Sequence, residues 1–276
     1  MRNQKLISKL VLVVDALMIA GLAAGVSAQQ RSTLDRILDQ GVLKVGIMLD
    51  WRPGGFYDEN GDPAGYEVDV AKKVAEHMGV DLRIIETPGP SRIPALKAKR
   101  VDITFAALAI TPERAKAVAF ARPYMSNSQT ILTKEDSDIK EFEDIAGKRI
   151  GTVRGTTPES NLMDMTEDWE NPPRYTSYDS NADQLLALRQ GKVDAIAEAS
   201  IFFNRAMEKN PGAYRKVGPP FYEELCAPAV RPDDHELLNY LNTILWQMIV
   251  LSDEMNEINE KYYAAPLDEK VYYGLK

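Results

Sequence analysis

Two hydrophobic periods take turns along this chain. VLKVGIML (42–49) is an unbroken apolar run of strand length, whereas in GYEVDVAKKVAEHMGV (65–80) Val68, Ala71, Val74, Ala75 and Met78 recur at helical spacing. The first predicts a buried strand, and the second an amphipathic helix that Gly79 is placed to end. LRIIE (82–86) follows as a strand, SRIPALKAK (91–99) as a short helix and RVDITFA (100–106) as a strand. Near residue 148 the order begins again. Strand KRIGTV (148–153) leads to a helix running through ESNLMDM, strand RYTSY (174–178), helix NADQLLALRQ (181–190) closed by Gly191, and strand KVDAIAE (192–198). LKAKRVDITFA (96–106) and LRQGKVDAIAE (188–198) share Leu-x-x-x-[Lys/Arg]-Val-Asp at the same place in each series.

Two successive β-α-β-α-β runs predict two α/β lobes, each a mostly parallel sheet flanked by helices. Ligands of such sheets sit beyond the carboxyl ends of the strands, where helix N-termini converge, so two facing lobes would form a cleft. The stretch RPDDHELLNYLNTILWQMIVL (231–251) breaks the alternation. It predicts a helix with Asp233 as N-cap, Glu236 completing a capping box, and an apolar stripe of Leu237, Leu238, Leu241, Ile244, Leu245 and Met248. Trp246 is expected to add packing, and MNEINEKYY to continue the helical tail.

The tripeptide Thr-Pro-Glu occurs twice, at 111–113 and 157–159, each after a β-branched run. Threonine accepts from a first-turn amide, proline at the first helical position wastes no donor, and glutamate suits the positive end of the helix dipole. A plain helix start accounts for these three residues. It does not account for Arg114, a cation in a first turn where the dipole disfavours it. An anion sharing the site would, because a guanidinium grips a carboxylate through two parallel bonds. Before the second copy, Gly155 permits close backbone approach, and Thr156 and Thr157 offer hydroxyls and amides. Each lobe thus offers one half of a carboxylate clamp.

Charge and composition narrow the classes. The chain has 276 residues and a formal net charge of −8. Residues 1–28 read as a secretory leader: Arg2, Lys5 and Lys9, an apolar run, then Val26-Ser27-Ala28 before Gln29. Asp15 inside that run is unusual for a leader. The leader carries three basic residues and one acidic one, so the rest of the chain stands at −10. Basic residues are scattered rather than clustered, which speaks against a nucleic-acid partner. Cys226 is the single cysteine, so there is no internal disulfide, and no cysteine follows the leader to carry a lipid. His77 and His235 fall on predicted helix surfaces, and neither a metal site nor a cofactor is expected. The expectation is a freely diffusing periplasmic monomer.

A family resemblance is carried by LDRILDQGVLKVGI, GYEVDVAKKVAEHMGV, IPALKAKRVDI, ITPERAKAVAFARPY, GKRIGTVRGTT, LLALRQGKVDAI and HELLNYLNTIL. In that order, across nearly all of the chain after the leader, they resemble the family 3 periplasmic solute-binding proteins, the polar amino acid receptors of ABC importers. The Thr-Pro-Glu-Arg block followed by Phe and Pro-Tyr is the specific part. The resemblance implies the type II periplasmic-binding fold: two α/β lobes joined by two crossovers and closing like a hinged jaw. It implies lobe 1 at 29–128 with a return at 223–276, and lobe 2 at 129–222. It implies that Arg114 binds a ligand carboxylate together with Thr157 and Thr156, and that Trp51 stacks on the ligand. The cargo would be a small carboxylate, an amino acid or derivative, delivered to an ABC permease in the inner membrane.

The chain departs from that pattern in two places. Where the family commonly has Ser, Thr or Gly before Thr-Pro-Glu-Arg, this chain has Ala106, Ala107 and Ala109. The family's aspartate for the ligand ammonium, five residues after the lobe-2 Val-Asp, is replaced by Ala199. Glu198 is adjacent, but strand alternation is expected to aim it the other way unless the strand has already ended. Arg92 and Asp50 are further candidates for polar ligand contacts, or else rim charges. Either the amine is met by Glu198 or Asp50, or the ligand is not an ordinary free α-amino acid. Two other functions stand beside import. One is a soluble sensor; the other is an enzyme of the cyclohexadienyl dehydratase kind, which resembles these receptors and would rely on Glu198. No nucleophile–base pair, Gly-x-Ser-x-Gly or metal spacing supports catalysis, so a non-enzyme is expected.

Overall fold

The computed structural model describes residues 31–273, and the expected leader at 1–28 lies outside the described residues. Helix α1 (Thr33–Gln40) leads into β1 (Val42–Ile47), the short strands β2 (Asp50–Trp51), β3 (Gly55–Tyr57) and β4 (Pro63–Ala64), then α2 (Tyr66–Met78) and β5 (Asp81–Glu86). Next come α3 (Arg92–Lys97), β6 (Ile103–Thr104), α4 (Pro112–Ala115), β7 (Ala119–Phe120) and the long β8 (Met125–Lys134). The second series is β9 (Arg149–Val153), α5 (Thr157–Thr166), β10 (Arg174–Tyr178), α6 (Asn181–Arg189), β11 (Ala195–Ala199) and α7 (Ser200–Lys209). β12 (Tyr214–Cys226), β13 (Ala229–Val230), α8 (His235–Trp246), α9 (Glu254–Tyr263) and α10 (Glu269–Tyr273) close the chain.

Local signals explain the long helices. The stripe Val68, Ala71, Val74, Ala75 and Met78 of α2 is buried, each large aliphatic side chain contributing ~1.5–3 kcal/mol. Gly79 ends the helix in the left-handed conformation (φ 66°), its N–H reaching the Ala75 and Glu76 carbonyls. α8 starts one residue later than its capping box predicts. Asp234, not Asp233, precedes it, and the Asp234 carboxylate pairs with Arg231 (2.7 Å) and accepts from Thr33 Oγ1 (2.5 Å) instead of capping the helix. Trp246 lies off the buried stripe and is 41 % exposed, so it adds little packing. His77 is half-buried against Glu254, with Nε2 and Oε2 2.9 Å apart, rather than free on a helix surface.

The two series build two five-stranded sheets, ordered β5-β1-β6-β13-β7 and β10-β9-β11-β8-β12. In each, three strands are parallel and in the order second-first-third, and the remaining two are added through antiparallel pairings. The repeated Val-Asp has a repeated task. Asp102 exchanges backbone N–H to Lys44 O (2.8 Å) and takes Lys44 N–H on its carboxylate (3.1 Å). Asp194 does the same with Arg149, at 2.8 Å both times. Each aspartate thereby pins the approach to a third strand onto the first strand of its sheet.

The lobes are joined by β8 and β12, which pair antiparallel from Met125↔Cys226 to Tyr214↔Lys134 with an irregularity between Val217 and Tyr222. This is the two-lobed type II periplasmic-binding fold, an α/β architecture with two crossovers. Among the described residues no helix is long and apolar enough to cross a membrane.

Candidate functional site

The residues that follow β1, β6 and β9, together with the end of β11, converge on one cavity of about 20 Å³ between the lobes. Its walls include Trp51, Arg92, Ala107, Thr156, Thr157 and Glu198, all picked out from the sequence. Met48, Asn127, Asn181 and Glu224 line it too, without any sequence signal having marked them. A wider groove of about 580 Å³ runs between the starts of α4 and α5, with Arg114, Gly155, Thr156 and Thr157 on its walls. Both Thr-Pro-Glu turns therefore face one space, and Thr156 and Thr157 are shared by the groove and the cavity.

The two turns use their residues differently. Thr111 caps α4 by accepting from Arg114 N–H at 3.1 Å. At α5 no side chain caps the helix. Thr156 Oγ1 donates to Val153 O (2.7 Å), and Thr157 Oγ1 donates to Glu224 Oε2 (2.6 Å). A hydroxyl has one proton, so neither has one left for a ligand unless it lets its partner go. Glu159 reaches back to accept from Gly155 N–H (2.8 Å) and Thr152 Oγ1 (3.1 Å), fixing the turn.

Two guanidiniums close on the same spot. Arg114 donates from Nη1 to Ala109 O and from Nη2 to Gly155 O, both at 3.0 Å. Arg92 is 3 % exposed, which rules out the rim charge. It donates to Gly89 O (2.8 Å), Ala106 O (3.0 Å), Ala107 O (3.3 Å) and, across the cleft, Gly155 O (3.3 Å). The Arg114 pKa is pushed down to about 10, first by burial and then by Arg92. Burial also lowers that of Arg92. An anion placed between them would relieve both.

The carboxylates complete the site. Glu198 lines the cavity although β11 runs on to Ala199, against the expectation from strand alternation. Ala195 and Ala197 face one core, Ile196 faces another, and Glu198 follows Ile196 toward the cavity at the last turn of the strand. Ala199 is the fully buried neighbour. Burial lifts the Glu198 pKa to about 7, against the pull of the Ala199 N–H (2.8 Å) and Arg92. Glu224, on β12, takes Gln129 Nε2 (2.7 Å) and Thr157 Oγ1, and burial raises its pKa as well. Asp50 is already engaged: it accepts from Asn181 N–H (2.8 Å), capping α6 from the other lobe. Ala109 is buried and contributes its carbonyl to Arg114. Among the described residues no group of three or more His, Cys, Asp and Glu is placed to hold a metal ion.

Known proteins resemble this chain over most of its length. ABC transporter arginine-binding protein 1 of Escherichia coli K12 is 30% identical over 234 residues, covering 83% of this chain and 90% of its own. A mutant of ArgBP from T. maritima superposes with a TM-score of 0.77 at 32% identity, covering 84% of this chain and 99% of its own. An ancestral amino acid-binding protein described as a precursor of cyclohexadienyl dehydratase gives a TM-score of 0.76 at 33% identity, covering 84% of this chain and 100% of its own. Residues 43–265 match one family throughout, and the chain belongs to it: the bacterial extracellular solute-binding proteins, family 3.

Proposed function

We propose that this protein captures a free amino acid between its lobes and delivers it to an ABC permease, without catalysing a reaction. The observation that carries this reading is Arg92 beside the buried carboxylate Glu198 in the cavity, with Arg114 next to Arg92 in the adjoining groove and Thr156 and Thr157 on the walls of both. Arg114 grips the ligand carboxylate together with the Thr157 amide, the one N–H of the Gly155-Thr156-Thr157 turn that neither Glu159 nor Val153 O takes, and Glu198 takes the amine in place of the missing aspartate at Ala199. Trp51 covers the ligand's apolar part, while Arg92 and Asp50 shape and close the site. In the same reading residues 1–28 are a leader, the protein is a periplasmic monomer, and the lobes divide at 29–128 with 223–276, and 129–222. Relatives named for arginine, cystine and glutamate set the first panel.

A thermal-shift screen of L-arginine, L-cystine, L-glutamate and L-glutamine, each beside its N-acetyl and 2-hydroxy counterpart, tests it. A ligand that binds only the folded state raises Tm. We expect one free amino acid to do so with one-to-one stoichiometry by calorimetry, and its N-acetyl form to fail. No shift with any free amino acid would overturn the reading. One observation favours a second reading: a buried acid of pKa about 7, Glu198, suits general acid catalysis. Turnover of a cyclohexadienyl carboxylic acid by the wild type, lost in Glu198→Gln, would establish it.

A further inference from the structure

Helix α2 buries its second residue, Glu67, completely. A carboxylate in such a place needs partners, because an isolated buried charge is strongly unfavourable. Its Oε1 accepts from the Ala107 backbone N–H at 2.6 Å and from the Tyr124 hydroxyl. Tyr124 stacks on Tyr66, whose hydroxyl donates to Tyr124 O at 2.6 Å. One carboxylate thus ties α2 to the loop after β6 and to the residue that enters β8. Ala107 sits at φ 44°, a left-handed conformation that is unfavourable for a residue with a Cβ. In that conformation the Ala106 and Ala107 carbonyls both face Arg92 Nη1, the guanidinium that lines the cavity and reaches Gly155.

We propose that Glu67 is a positioning residue of the binding site: by holding the Ala107 amide and the Tyr124 hydroxyl, it sets the loop that seats Arg92 against the opposite lobe. Only the affinity arm of its test rests on the amino-acid reading above. The ionisable groups around Glu67 are Tyr66 on its own helix, Tyr124 before β8, Arg92 of α3, Cys226 at the end of β12 and Tyr263 of α9. Burial pushes the Glu67 pKa up to about 7, while Tyr124, the Ala107 amide and Arg92 pull it down. Near neutral pH the Ala107 N–H therefore faces either a carboxylate or a carboxylic acid, and its hydrogen bond is stronger to the carboxylate.

The test follows the Ala107 amide by NMR in full-length protein labelled with ¹⁵N-alanine, titrated over about three pH units around neutrality. We expect the amide to titrate with a midpoint near 7 in the wild type and to be flat in Glu67→Gln. Tyr124→Phe removes a donor that favours the charged form, so it should move the midpoint upward; it keeps the test available should Glu67→Gln not fold. Affinity for L-arginine should fall ~tenfold in Glu67→Gln. Ala107→Gly in that background should restore part of it, since glycine adopts positive φ freely. A flat Ala107 amide in the wild type, or wild-type affinity in Glu67→Gln, overturns the proposal. A titrating amide in a wild type that binds no amino acid supports the role of Glu67 and overturns the ligand reading instead.

Discussion

The guanidinium of Arg114 holds two carbonyl dipoles, yet burial and Arg92 still depress its pKa to about 10. Carbonyls compensate a buried cation less well than an anion does, so the site favours a carboxylate there. Arg114→Ala should weaken binding of the amino acid found by the screen by ~2–5 kcal/mol, and Arg114→Lys should recover only part, lacking the planar fork. The α4 cap uses the backbone N–H of residue 114 and survives both changes. Calorimetry decides it: undiminished affinity in Arg114→Ala would reduce the residue to a contact between lobes. Glu198 makes a sharper demand. With a pKa of about 7 it is protonated in the free protein below neutrality and must lose that proton to meet an ammonium. Affinity for the free amino acid should therefore fall as pH drops below about 7, with proton release visible as a buffer-dependent heat, and Glu198→Gln should reduce that dependence to the part that passes through Glu67. A pH-independent affinity would place the amine elsewhere. Motifs made Arg114, Thr157 and Trp51 legible in the sequence. Glu67 and Glu224 were not, because the groups that give them meaning lie 40 and 67 residues away, at Ala107 and Thr157.

At the scale of elements, the two Thr-Pro-Glu turns share a sequence and divide the work. The first caps itself through Thr111 and frees the Arg114 side chain; the second gives both threonine hydroxyls to neighbours and lets Glu159 hold the Gly155 amide. Gly155 is the pivot, with φ 72° and a carbonyl that two guanidiniums share. A Cβ there would meet nothing closer than Pro90 Cα at 4.0 Å, so the demand is conformational and not steric. Gly155→Ala should cost ~1–2 kcal/mol by denaturant unfolding and also weaken ligand binding as the carbonyl turns away. A neutral substitution would mean that the turn relaxes without loss. Helices such as α2 and the shared Val-Asp pins were legible because their signals are local or repeated. The α8 boundary was not: Asp234 is claimed by Thr33, 201 residues away, and by Arg231.

At the scale of the molecule, buried carboxylates make stability depend on pH in an unusual direction. Glu67 and Glu198 both have folded pKa values near 7, above the ordinary 4.5. Between those values the folded state binds more protons than the unfolded chain, so stability falls as pH rises through the window. Tm should be higher near pH 5.5 than near pH 7.5, and the difference should shrink in the double variant Glu67→Gln, Glu198→Gln. The same buried site dictates motion. Arg92 and Arg114 reach Gly155, and Asp50 caps α6, all from one lobe to the other. The cavity between the lobes, about 20 Å³, holds on the order of one water, whereas small-molecule pockets run to ~300 Å³ or more. The lobes must therefore part to admit an amino acid, and a ligand that touches both lobes shifts the population back toward closure. Small-angle scattering should show a smaller radius of gyration at saturating ligand than without it, and an unchanged profile would sink the hinged jaw. Asp50→Ala separates closure from contact. It removes one bond between lobes, to the backbone N–H of Asn181, and takes no side chain off the cavity wall, so it should enlarge the ligand-free radius while lowering affinity by less than tenfold, ~1.4 kcal/mol. A larger loss of affinity with the radius unmoved would mean that Asp50 meets the ligand itself.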